Sequence, residues 1–151
     1  MTTAPPPVFG QFGTTLAFAE RALTATLREH LAQRDTRPET WYALRLIATR
    51  GPALAREDLI RDLEGSRRLD SDSARELLAG LEAEGLIRGE AHVDLTAEGE
   101  TRYRGLLEYI SGPTIRLLSQ FDLADIETTV RTLQAITRRV EEEAAGPALA
   151  N

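Results

Sequence analysis

Apolar residues recur at steps of three and four over two long stretches of this chain, with shorter and more punctuated apolar runs between them. Near the start, Phe9, Phe12, Leu16, Ala19, Leu23 and Leu27 form one stripe of a helix that reaches Ala32. Near the other end, Ile126, Val130, Leu133, Thr137 and Val140 repeat in the same way, after Asp122 as N-cap with Asp125 three residues on. Both stripes repeat about every 3.5 residues, as helices in bundles and coiled coils do. They predict a dimerisation layer in which Phe9, Phe12, Leu16, Ile126, Val130 and Leu133 meet a second copy. The other reading of the same pattern is that both helices pack only on their own chain.

The middle of the chain predicts shorter elements. Thr36-Arg37-Pro38-Glu39 reads as a capping box with proline in the first turn of a helix that buries Trp41, Leu44 and either Ile47 or Ala48. Gly51-Pro52 ends it, with the glycine expected as a left-handed cap. A third helix over residues 55–64 buries Leu59, Ile60 and Leu63 and is expected to stop at Gly65. A fourth begins near Asp70, Ser71 and Ser73, with Ser73 and Glu76 spaced as a second capping box, buries Leu77, Leu78 and Leu81, and stops at Gly85. Leu86-Ile87-Arg88 and His92-Val93-Asp94-Leu95 read as two short strands around Gly89-Glu90-Ala91. Thr96 caps a fifth helix, which Gly112-Pro113 is expected to break or kink. Helix, turn, helix and hairpin in that order make a winged helix-turn-helix. The fold class is therefore mainly α (α+β), with residues 36–111 as the winged domain and residues 9–35 and 112–143 as dimerisation helices. Residues 1–8, with three consecutive prolines, are expected to form a flexible leader, and residues 144–151 a frayed tail.

Composition narrows the chemistry. The 151 residues include no cysteine, which removes disulfides, thiolate nucleophiles and cysteine-bound metals. The two histidines, His30 and His92, stand far apart in sequence, and no HExxH, GxSxG or phosphate-loop motif is present. The run of glutamates at 141–143 reads as a solvated helix end. Neither an enzyme nor a cofactor is expected. No segment has the length and apolarity of a membrane span, and the expected location is cytoplasmic.

The residues then point to a family. RPETWYALRLIATRGPALAREDLIRDL, LLAGLEAEGLIR and VDLTAEGETRYRGL resemble, in turn, the second and third helices, the end of the recognition helix, and the strand-to-helix passage after the wing of the MarR family of bacterial transcriptional regulators. The resemblance covers about residues 12–142. It implies a homodimer that sets two recognition helices in successive major grooves of double-stranded DNA, with wings over the flanking minor grooves. It also implies a small aromatic or anionic effector, bound where the dimerisation helices meet the winged domain, that relieves repression. Candidate DNA contacts are Arg67, Arg68, Ser71, Ser73 and Arg75, with Arg88 and His92 on the wing; candidate effector contacts are Phe18, His30, Trp41, Tyr42 and Tyr103.

Charge sets a second reading beside this one. All 18 basic residues are arginine, and the net charge is −6. Between Pro52 and Gly99 six arginines stand against twelve acids, so the whole negative balance lies in the region expected to meet phosphate. The wing is short, and EGSRRLD lengthens the turn before the recognition helix by about one helical turn. These departures support the alternative reading, a winged-helix dimer that has given up DNA and serves as a small-molecule or protein-binding module, whereas the Arg67-Arg68 pair opposes it; the DNA-binding regulator is the main expectation.

Overall fold

The computed structural model describes the backbone of residues 3–67 and 69–149, with side chains for 3–65 and 69–146. Among the described residues, six helices and three short strands follow in the order α1 (Pro7–Ala32), α2 (Pro38–Arg50), β1 (Leu54–Ala55), α3 (Arg56–Arg67), α4 (Ser71–Ala83), β2 (Ile87–Arg88), β3 (His92–Leu95), α5 (Ala97–Leu118) and α6 (Leu123–Leu149). The chain divides into two compact units, one ending at Ile110 and the other starting at Ser111.

The first unit is a winged helix-turn-helix. Its core takes Leu31 from α1, Trp41, Leu44 and Ile47 from α2, Leu59, Ile60 and Leu63 from α3, Ala74, Leu77, Leu78 and Leu81 from α4, and Leu106 from α5. The apolar positions read from the sequence of α2, α3 and α4 are therefore the buried ones. The sheet order is β1-β3-β2, with Leu54 opposite Val93 and Ile87 opposite Leu95. Strand β1 has only two residues, too few for an alternating pattern to register in the sequence.

One junction explains why GLI and LTxxG occur together. Helix α4 ends in a Schellman motif, in which the Gly85 amide donates to the Glu82 carbonyl and the Leu86 amide to the Leu81 carbonyl. Gly85 supplies the required positive φ of 75°. Past the wing, the Thr96 hydroxyl donates to the Gly85 carbonyl at 2.5 Å and accepts from the Gly99 amide at 3.0 Å, while the Thr96 amide donates to the Leu86 carbonyl. A Cβ on Gly99 would lie 1.9 Å from that same Leu86 oxygen. The end of α4 and the start of α5 can approach this closely only with glycine at 99.

Several expected details differ. The Thr36 hydroxyl donates back to the Arg34 carbonyl, and Arg37, with no side-chain bond to the helix, is the N-cap of α2, so no capping box forms. Gly51 is extended rather than left-handed; it is needed because a Cβ there would lie 2.6 Å from the Ile47 carbonyl. Gly65 does not stop α3, which continues to Arg67, so the lengthened turn is partly helical. Pro113 lies inside α5 without ending it. At the chain ends, Pro7 and Val8 open α1, since proline suits the first helical turn, and α6 continues through the alanine-rich 144–149 segment.

In α1, only the C-terminal part packs on the core of the first unit: Leu31 is buried and Leu27 half-buried, while Phe9, Phe12, Leu16 and Leu23 are 69%, 41%, 43% and 53% exposed. In the second unit, the Asp122 carboxylate caps α6 through the Asp125 amide at 3.2 Å. Along that helix Ile126 and Leu133 are half-buried, and Val130 and Val140 are exposed.

Candidate nucleic-acid interface

Helix α4 is held firmly at both ends. At its start the Asp70 carboxylate accepts from the Ser73 amide at 2.7 Å, and this bond holds the Asp70 carboxyl below its usual range. Asp70, rather than Ser71 or Ser73, is thus the cap, and Ser73 and Glu76 do not form a capping box. At its far end stands the Schellman motif. Between the two, the buried row Ala74, Leu77, Leu78 and Leu81 fixes the rotation of the helix, so Asp72, Glu76, Ala79 and Ala83 form the row facing away from the core, all of them exposed.

Charge around α4 is paired across elements. Arg75 lies 3.4 Å from Glu57 on α3. Arg56 donates to Glu82 at 2.6 Å and to the Gly89 carbonyl at 3.0 Å, while its amide donates to the Ala91 carbonyl at 2.9 Å, so one residue ties α3 to both α4 and the wing. Arg88 approaches Asp94 across the wing at 3.8 Å, Arg50 meets Asp62 at 2.9 Å, and Arg61 pairs with Asp58 one turn back. Every arginine from Arg50 to Arg88 whose side chain is described therefore has a carboxylate partner.

Of the candidate DNA contacts, Ser71, Ser73 and Arg75 lie in the first turns of α4, with Ser71 and Arg75 exposed and Ser73 half-buried. Arg88 and His92 are exposed on the wing strands. The backbone of Arg67 ends α3, but its side chain and all of Arg68 lie outside the described residues. Sequence reasoning missed Arg56, Glu57 and Glu82. Their pairs span 18 and 26 residues, beyond any helical spacing that could have flagged them.

The effector candidates do not gather at one place. Trp41 and Tyr103 stack at 5.5 Å within the core, and Tyr42 is half-buried. Phe18 is exposed, with the Arg21 guanidinium 5.7 Å from its ring centre. His30 instead meets Tyr109 edge-on at 6.2 Å; the Arg34 guanidinium lies 4.1 Å from the centre of the same ring, and the Tyr109 hydroxyl donates to Gln33. An open cleft of about 500 Å³ lies beside Arg34, between it and Arg102. Tyr109 and Arg34 escape a reading of the sequence, because nothing in their spacing marks a ring from α5 as the neighbour of the last turn of α1. Among the described residues no group of three or more acidic or histidine side chains could hold a metal ion, and no helix is long and apolar enough to cross a membrane.

No family model matches the chain, and no curated protein matches it. Solved structures do. Ligand-free NadR superposes with a TM-score of 0.71 at 24% identity, covering 87% of this chain and 98% of its own. The transcriptional regulator PA3341 gives a TM-score of 0.71 at 23% identity over 87% of this chain and 98% of its own. The Mycobacterium tuberculosis MarR family protein Rv2887, solved in complex with DNA, gives 0.67 at 18% identity over 89% and 98%.

This chain has the MarR-type winged-helix fold. Within that fold α3 and α4 are the helix-turn-helix pair and β2-β3 is the wing. The likeness extends over 98% of the length of each of these neighbours.

Proposed function

We propose that this chain is a MarR-type DNA-binding transcriptional regulator, a ligand-responsive repressor acting as a cytoplasmic homodimer. The observation that carries this reading is α4: a helix capped at both ends, anchored by one leucine-rich face, and open along the opposite face. It stands in the same fold as Rv2887, which is solved with DNA. A helix presented this way suits the major groove, with the wing beside it. In this reading Ser71, Ser73 and Arg75, with Arg67 and Arg68 just before them, contact phosphates and bases, and Arg88 and His92 act from the wing.

The second copy is the occupant proposed for the apolar stripes. Phe9, Phe12 and Leu16 on α1, and Val130 beside the half-buried Ile126 and Leu133 on α6, leave apolar surface exposed that a second copy would cover. For the effector, Rv2887 is also solved with p-aminosalicylic acid and with salicylic acid. A small aromatic anion is the corresponding proposal here. His30, Arg34 and Tyr109 offer it a cation and a ring edge, with Tyr42 and Phe18 as further candidates; the stacked Trp41 and Tyr103 suit a packing role.

The test is a titration of DNA from upstream of the coding region at two salt concentrations, with the mass followed by sedimentation. Specific retardation that weakens with salt, from a species of twice 16.6 kDa, is the expected result. A monomer that retards no duplex even at low salt would sink the proposal.

A further inference from the structure

The acid on the outward row of α4 has a chemical consequence for sequence recognition, which rests on the DNA-binding reading above. At about 100° per residue, Glu76 lies opposite the buried row and one turn from Ala79. Ala79 and Ala83 are short, so the helix can approach a groove floor on that side, and Glu76 is the longest side chain of the row. Glu57, Glu82 and Asp94 are each occupied by an arginine, whereas Glu76 has no ion-pair partner among the described residues. Its side chain is exposed.

A carboxylate only accepts hydrogen bonds, and between two phosphate chains it is repelled and stripped of water. It is tolerated there only if a base edge donates to it. In the major groove guanine offers N7 and O6, and thymine O4, all of them acceptors whose lone pairs oppose a carboxylate. Adenine offers its N6 amino group beside the N7 lone pair, which faces the second carboxylate oxygen. Cytosine offers its N4 amino group beside a C5–H, with no opposing lone pair.

We propose that Glu76 is a specificity-determining residue that accepts from the N4 amino group of a cytosine, so that each half-site carries a required C·G pair beneath the middle of α4. The negative charge then works mainly against wrong sequences, since guanine and thymine leave it unpaired and adenine sets its N7 lone pair against the second oxygen.

The test selects duplexes from a randomised pool with the full-length chain and with Glu76→Gln and Glu76→Ala, followed by anisotropy titrations of the best site and its single-base variants. The wild type is expected to prefer cytosine at one position per half-site by about tenfold over the other bases. Glu76→Gln is expected to move that preference to adenine, whose N6 and N7 a carboxamide matches in both donor and acceptor. Glu76→Ala is expected to flatten the position and to raise affinity for unrelated duplex. Identical base preferences in all three proteins, each still binding DNA, would overturn the assignment. A wild-type chain that binds no duplex would overturn the regulator reading, and this inference with it. Matching thermal melts of the three proteins establish that the comparison is between folded chains.

Discussion

Gly99 shows how much a single missing side chain can determine. The Leu86 carbonyl lies where its Cβ would be, so Gly99→Ala must push apart the end of α4 and the start of α5. The expected cost is about 2–3 kcal/mol, in the range of overpacked interiors. Gly105, within α5, has open space where a methyl group would stand, and Gly105→Ala is expected to stabilise by up to about 1 kcal/mol through helix propensity. Urea unfolding of the two variants checks both signs; equal midpoints would mean that the Leu86 contact is not tight. The pairing of GLI with LTxxG was visible in the sequence, but its reason was not. Two carbonyls and a hydroxyl meet there from segments ten or more residues apart.

At the scale of elements, α4 and the wing are joined through Arg56. Its guanidinium bridges Glu82 and the Gly89 carbonyl, and its backbone pairs with Ala91. The side chain is only 21% exposed, so its bonds are partly shielded from water. Arg56→Met, which keeps the apolar stem, is expected to cost about 1–2 kcal/mol. It should also speed amide exchange in β2 and β3 more than in α2. Uniform exchange changes across the chain would instead mean that Arg56 acts only on global stability. The elements themselves were largely legible beforehand, because leucine spacing and glycine stops are local signals. The length of α3 was not, since Gly65 is compatible with a helix when the residues after it remain helical.

For the whole molecule, the arginine pairs change what DNA binding would look like. An arginine already held by a carboxylate gains less from a phosphate and releases fewer counterions in the exchange. Arg50, Arg56, Arg61, Arg75 and Arg88 are all held in this way. If the chain binds DNA as the proposed dimer, the slope of log affinity against log salt is therefore expected to be shallow, with a magnitude of about 4 or less rather than the roughly 6–10 of phosphate-rich complexes. Anisotropy titrations over a range of salt concentrations measure it directly, and a steep slope would show that these pairs open on binding.

Read alone, the sequence determined the order of the helices and the two wing strands, the buried faces of α2, α3 and α4, and the winged-helix architecture. These follow from periodicity, caps and turn residues, which act over a few neighbouring positions. The tertiary structure decided which carboxylate meets which arginine, why Gly51 and Gly99 are glycines, which ring lies against Arg34, and that Asp72 and Glu76 stand on the face of α4 turned away from the core. Those outcomes depend on segments brought together from distant parts of the chain. Of the twelve acids between Pro52 and Gly99, five meet arginines and Asp70 caps α4, so part of an excess that in sequence argues against DNA is spent, in three dimensions, on holding the winged domain together.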